Sequence, residues 1–342
     1  SINGTLGNLA KLTIKNVSLG KSAGFITLIT DLVLEYIYKF LQSPTFKNFY
    51  ESKYTGTTIK NIPLKALREC PVPIPPLVEQ KRIVAKLDQL MPLVDEYAEA
   101  YDKLKKLDDG FNDKLKQSLL QYAMEGKLVK QDPNDEPASV LLEKIAEEKA
   151  RLIREKKIKR TKKLPEVTDD EKPFEIPDSW EWVRLSEIGS WGAGATPSRS
   201  HPEYYGGNIP WLKTGDLNDG IVNETTETIT EDGVENSSVK INKAGNVLIA
   251  MYGATIGKLG IAGKSMTTNQ ACCGCDIFEG VYNWYLFYYL LAMRATLVSM
   301  GAGGAQPNIS KTKIEHFPFP LPPLAEQKRI VAKLDQLTAA IH

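Results

Sequence analysis

The stretch Pro71-Val-Pro-Ile-Pro-Pro-Leu-Val-Glu-Gln-Lys-Arg-Ile-Val-Ala-Lys-Leu-Asp-Gln-Leu90 occurs twice. It returns as Pro318-Phe-Pro-Leu-Pro-Pro-Leu-Ala-Glu-Gln-Lys-Arg-Ile-Val-Ala-Lys-Leu-Asp-Gln-Leu337, with 17 of 20 positions identical at an offset of 247. Stacked-repeat proteins have periods of roughly 20–50 residues, so each copy here marks a unit of domain size plus its connector. In both copies a proline-rich run stays extended up to Pro75-Pro76 or Pro322-Pro323, where the fixed φ suits a first helical turn. Glu79 and Glu326 then fall near the positive end of the helix dipole. The block predicts a rigid lead-in followed by a helix.

Working outward, Ile83, Leu87, Leu90, Val94, Tyr97, Tyr101, Leu104, Asp108, Phe111, Leu115, Ser118 and Tyr122 follow a strict 4,3 spacing. Ten of these twelve are apolar or aromatic, a coiled-coil seam over about five heptads. Such a helix spans roughly 60 Å, and Pro92 inside it predicts a kink. Gly126 is placed to cap its end. A second helix is expected from about Pro137, running into a basic stretch. Leu141 to Lys163 holds 10 basic and 4 acidic residues, read either as a solvated face and linker or as a contact for a DNA backbone or acidic partner.

Residues 1–68 read as the second half of a unit, because Asn3-Gly-Thr-Leu-Gly-Asn-Leu9 resembles Tyr252-Gly-Ala-Thr-Ile-Gly-Lys-Leu259. The first unit is thus expected to lack roughly its first 70–75 residues. Within it, Gly24–Ile29 suggests a buried strand and Leu32–Leu41 a helix ending before Ser43-Pro44. The second unit follows an acidic, proline-rich linker, Pro165–Pro177. Glu181–Ile188, Val247–Met251 and Ile256–Ile261 suggest strands amid loops.

Composition fits this division. With 342 residues, 42% hydrophobic and 25% charged, the chain can bury two or three cores. A net charge of +1 means that any nucleic-acid surface must be local. Cys70, Cys272, Cys273 and Cys275 lack disulfide or zinc spacing and read as reduced thiols, with no metal. No signal peptide opens the sequence, and Val281–Met300, which holds Asn283 and Arg294, reads as a buried helix rather than a membrane span. The expectation is a soluble, cytoplasmic protein.

No catalytic constellation emerges. Gly260–Ser265 resembles a P-loop, but Lys258 stands where its first glycine belongs; Asn208-Ile-Pro-Trp211 lacks a glycine-rich cofactor loop. Three histidines leave little material for a nucleophilic triad.

The duplicated block, Ala123-Met-Glu-Gly-Lys-Leu-Val129, Asp135-Glu-Pro-Ala-Ser-Val-Leu-Leu142 and Gly194-Ala-Thr-Pro-Ser198 with Ile209-Pro-Trp-Leu212 together resemble the specificity subunit of type I restriction-modification enzymes. The resemblance implies mixed α/β target-recognition domains on long antiparallel coiled-coil helices with pseudo-twofold symmetry. The corresponding division is 1–75 for the end of a first recognition domain and 76–164 for spacer helices. Residues 165–322 form a linker and second recognition domain, and 323–342 begin a second conserved helix. The implied role is non-catalytic reading of a split DNA target and docking of methyltransferase subunits, two by the duplication, with the restriction subunit reached through them. S-adenosylmethionine, ATP and Mg belong to those partners and no cofactor to this chain.

Polar loop groups suit base and phosphate contacts. The second-domain candidates are Thr196, Ser198, Arg199, Lys213, Thr214, Asp216, Lys258, Lys264, Gln270, Gln306, Asn308 and Lys311; the first domain offers Lys11, Lys60 and Asn61. For Thr196 and Asn308, turn capping is the alternative. Off the apolar seam, Gln80, Lys81, Arg82, Lys86 and Gln89 recur as Gln327, Lys328, Arg329, Lys333 and Gln336, the candidate partner face. A structural coiled-coil scaffold, an inactive fragment and a homodimer presenting two second domains are the competing readings.

Overall fold

The computed structural model describes residues 1–13, 17–28, 32–56, 59–160, 163–301 and 308–341, in two compact units, Ser1–Asp109 and Gly110–His342. In the first unit, α1 (Leu34–Gln42) buries Tyr36 and Ile37. The Ser43-Pro44 pair that ends it also starts α2 (Pro44–Glu51), because the Ser43 hydroxyl accepts from Phe46 N at 3.3 Å and Pro44 fits the first turn. With α3 (Leu64–Arg68), these helices enclose Phe46, Tyr50, Ile62 and Ala66. The strand expected at Gly24–Ile29 is not formed over its described residues, and Phe25 is 75% exposed. An apolar run becomes a buried strand only where a neighbour takes up its backbone hydrogen bonds.

From Leu77 the chain enters α4 (Leu77–Met124), 48 residues continuous through Pro92. Its seam is bare over much of its length, with Tyr97 70% and Leu104 66% exposed. Only its last turns, at Leu120, Ala123 and Met124, enter a core.

The second unit begins with those turns. Gly126, at φ 69, closes α4, with Lys127 N donating to Tyr122 O at 2.9 Å. After α5 (Ala138–Arg154) come β1 (Glu181–Arg184), β2 (Gly189–Ala193), β3 (Tyr205–Leu212), β4 (Gly220–Val222), β5 (Glu227–Ile229) and α6 (Glu231–Glu235). β6 (Ile241–Asn242), β7 (Val247–Ala250), β8 (Leu259–Ala262), β9 (Met266–Thr268) and β10 (Cys272–Ile277) lead into α7 (Asn283–Ala292) and α8 (Arg294–Met300). The chain then forms α9 (Lys311–His316), β11 (Pro318–Leu321) and α10 (Leu324–Ala339). The sheets have the orders β2-β10-β7-β8-β4, β5-β3-β9-β6 and β1-β11. This is a mixed α/β domain with a long helix. Val281–Met300 is two helices rather than one, and among the described residues no helix is long and apolar enough to cross a membrane.

The second proline run is β11, antiparallel to β1 with Arg184 opposite Pro318. Buried Arg184 straps the acidic linker to this ribbon. Its guanidinium donates to both Glu171 carboxylate oxygens at 2.7 Å and to the carbonyls of Pro165, Glu166 and His316. α10 runs antiparallel to the end of α4. Glu326 at its start accepts from Gln131, and Asn112 Nδ2 donates to Ile341 O beyond its end at 3.4 Å. Buried Glu326 also accepts from Trp180 Nε1 at 2.9 Å, and burial raises its pKa. Its counterpart Glu79 instead faces Arg82 at 3.0 Å on the surface.

Candidate nucleic-acid interface

In both units the duplicated block fixes its helix to the preceding domain by equivalent contacts. Gln80 Oε1 accepts from Val33 N at 2.9 Å, and Gln327 Oε1 from Tyr282 N at 2.7 Å, the N-cap residues of α1 and α7. The same amides donate to Pro75 O at 2.9 Å and Pro322 O at 3.0 Å. Tyr36 and Tyr285 hydroxyls donate to Pro73 O and Pro320 O at 2.8 and 3.1 Å. Lys39 meets Asp88 at 3.0 Å, where Tyr288 donates to Asp335. Bridges Asn3–Asn61 and Tyr252–Asn308 complete the equivalence, matching the two glycine-containing stretches that resemble each other in sequence.

Four of the candidate partner-face residues make contacts within the chain. Gln80 and Gln327 are buried and their amides are spent within the chain. Arg329 is held by both oxygens of Asp135, at 3.1 and 2.5 Å, and Arg82 by Glu79. The outward remainder repeats itself: Lys81 and Lys328 are exposed, and Lys86–Gln89 at 3.1 Å matches Lys333–Gln336 at 3.0 Å.

In the second unit, the loop after β2 is tied to β3. Trp211 Nε1 donates to Ala195 O at 3.0 Å and the Tyr205 hydroxyl to Pro197 O at 2.5 Å. The Arg199 guanidinium lies over both rings, 4.1 Å from the Tyr205 centroid and 5.3 Å from that of Trp211. Glu227 on β5 accepts from Lys213 Nζ at 2.7 Å and Arg199 Nη2 at 2.8 Å, and these bonds hold its carboxyl below the usual range. Thr196 donates to Gln270, and Ser198 meets Ser200 at 2.7 Å. The fold thus sets Arg199 and Lys213 on one carboxylate, with Thr196 and Ser198 on the same loop as Arg199 and Gln270 bonded to Thr196, and guanidinium donors of Arg199 remain for an outside acceptor.

The other candidates lie elsewhere. Asp216, on the same turn as Thr214, accepts from Lys213 N at 2.8 Å and Thr226 N at 3.3 Å, a turn-building role. Lys258 Nζ reaches Leu217 O at 3.5 Å, Lys264 is exposed after β8, and Lys311 pairs with Glu315 at 3.1 Å. Asn308 is exposed and its backbone forms the bridge with Tyr252; Gln306 lies outside the described residues. In the first unit, Lys11 pairs with Glu35 at 2.5 Å and lies 4.7 Å from the Tyr38 ring; Lys60 lies 4.7 Å from the Tyr54 ring. Asn61 bridges to Thr55 and Asn3 through its backbone. Glu227 and Tyr205 are not among the sequence candidates, and Trp211 enters there only as part of the motif Ile209-Pro-Trp-Leu212; what joins them to Arg199 is spatial. Cys272, Cys273 and Cys275 are buried, and burial pushes Cys273 up to about 12. Among the described residues no group of three or more His, Cys, Asp or Glu could hold a metal ion.

The sequence model of the Type I restriction modification DNA specificity domain matches residues 1–115 and 177–342, and the chain belongs to that family. It is 32% identical over 350 residues to the Type I restriction enzyme EcoAI specificity subunit of Escherichia coli, covering 89% of this chain and 59% of that protein. It is 29% identical to the EcoEI specificity subunit of Escherichia coli, covering 90% of this chain and 60% of that one. The chain therefore spans about three-fifths of the length of these relatives. Among solved structures, the HsdS subunit from Thermoanaerobacter tengcongensis aligns with a TM-score of 0.44 at 23% identity, covering 90% of this chain and 63% of that chain.

Proposed function

We propose that this chain is the DNA-reading part of a type I restriction-modification complex, with each unit presenting a recognition module at the start of a duplicated helical block. The observation that carries this is the duplicated junction: equivalent glutamine, tyrosine and aspartate contacts seat each module on an identical helical block. A split target needs two modules at a set separation, and half-sites one DNA turn apart lie about 34 Å from each other. On this reading the second unit reads one half-site through Arg199, Lys213, Thr196, Ser198 and Gln270. The repeated outward residues Lys81, Lys86 and Gln89, with Lys328, Lys333 and Gln336, dock two modification subunits. S-adenosylmethionine and ATP chemistry resides on partner subunits in the cytoplasm.

The test is a base-resolution map of adenine methylation in cells carrying this chain with its modification partner, against the partner alone. A new split motif supports the function; a stable complex without a new motif leaves docking without recognition and refutes it. Mass measurement of the complex is expected to give two modification subunits, and a single one contradicts the duplicated docking face. A second reading, a homodimer, is favoured by the bare α4 seam, which offers Tyr97, Tyr101 and Leu104 to another helix. It predicts a symmetric motif.

A further inference from the structure

Beside the tail of α5 lies a cleft of about 690 Å³ that, of the candidates for base reading, includes only Lys311. Lys149, Lys156, Lys157, Lys159, Lys240 and Lys311 line it against two carboxylates, Asp276 and Glu315, in a chain of net charge +1. Both carboxylates are already paired, Asp276 with Lys243 at 2.8 Å and Glu315 with Lys311 at 3.1 Å. Lys157 pairs with Glu155 at 2.8 Å, and half-buried Lys149 donates to Ser186 O at 2.9 Å. That leaves Lys156, Lys159 and Lys240 exposed, with no carboxylate partner among the described residues.

The tail is turned toward this cleft by its own backbone. α5 closes with Lys156 N donating to Ile153 O at 3.1 Å and Lys157 N to Leu152 O at 2.9 Å, and Lys156 sits at φ 58. A lysine in this left-handed conformation is strained where glycine or asparagine would not be, and strain of this kind gathers at functional sites. Ile158 then packs on the core, fixing Lys157 and Lys159 on either side. The floor is the ladder of β2 and β10, where Gly192 faces Gly274 and Ser190 faces Asp276. A Cβ on Gly192 would lie 3.5 Å from Lys240 Nζ, so this lysine crosses strand backbone that carries no side chain.

The occupant follows from where β2 leads. Gly192 and Thr196 are four residues apart, at most about 14 Å of chain. A DNA strand advances about 3.4 Å per phosphate, so the cleft lies within about four base-pair steps of the loop that carries Arg199. This continuity favours a nucleic-acid backbone over an acidic peptide. Resting on the DNA-reading function proposed above, we infer that this cleft grips the phosphodiester backbone flanking the bases read by the loop of residues 194–200.

The test uses the whole chain carrying Lys156→Asn, Lys159→Gln and Lys240→Gln, with duplexes of several sequences titrated from 50 to 200 mM salt and Arg199→Ala in parallel. The cleft variant is expected to lose tenfold or more in affinity equally for all sequences. Its log–log salt slope should fall by about two to three, near 0.9 per lost phosphate contact. Lys159→Arg with Lys240→Arg should retain the native values, and Lys159→Gln with Lys240→Gln gives the same direction of loss without altering the strained position. An unchanged slope and affinity in the cleft variants, while Arg199→Ala loses sequence preference, overturns the inference alone. Loss of polyglutamate binding with DNA binding intact also overturns it, in favour of an acidic peptide. Failure of the native chain to bind any duplex at 50 mM salt overturns the DNA-reading function and the cleft together.

Discussion

At the residue scale, Gln327 joins the last domain to its helix. Gln327→Leu leaves Tyr282 N–H and the carbonyls of Gly280 and Pro322 without their partner, an expected loss of about 2–3 kcal/mol read from the urea midpoint. Exposed Gln336→Leu should stay within about 0.5 kcal/mol. The sequence shows that both glutamines are duplicated but not why, because identity at an off-seam helix position fits a partner face and an internal hydrogen bond equally well. Arg184 and Glu171 give a pH signature. The Arg184 bonds lower the Glu171 pKa from an ordinary 4.5 to about 2. Its ionised form therefore stabilises the folded chain above about 4.5, and that contribution fades as pH falls toward 2. Thermal midpoints measured across this window should converge for the native chain and Glu171→Gln at the acid end and separate above it.

At the scale of elements, α4 was legible from its 4,3 spacing and its proline start, but a seam does not name its partner. Leu120 is buried and Leu104 is bare on the same helix. Leu120→Ala should accordingly cost about 2–4 kcal/mol, while Tyr97→Glu with Leu104→Glu leaves stability within about 0.5 kcal/mol per site and abolishes any helix pairing seen by sedimentation. Pro92→Ala should raise the denaturation midpoint, by about 1–3 kcal/mol, since it restores an amide donor inside a continuous helix. The segment at Gly24–Ile29 shows the opposite limit, where apolar residues and β-branching suggested a strand for which no pairing forms over the described residues. Ser43-Pro44 ends α1 and also starts α2, because serine at the cap and proline at the first turn begin a helix as readily as they stop one.

For the whole molecule, a duplicated sequence folds into a duplicated junction, and that much of the architecture is legible in the repeat itself. The candidate interface could be read only as residue types. Arg199, Lys213 and Glu227 are brought together by the antiparallel pairing of β3 and β5 and by the loop after β2, and their spacing along the chain follows no period. The charge run after α5 is ambiguous for a similar reason: the turn at Lys156, which no periodicity reveals, sets Lys156, Lys157 and Lys159 along the cleft. The most direct measurement is selection of duplexes from a random library by the purified chain, followed by sequencing of what is retained. The account predicts one short motif enriched by the native chain, blurred by Arg199→Ala and by Lys213→Ala and unchanged by Gln336→Ala. No enriched motif, or a motif that survives both loop substitutions intact, would contradict it.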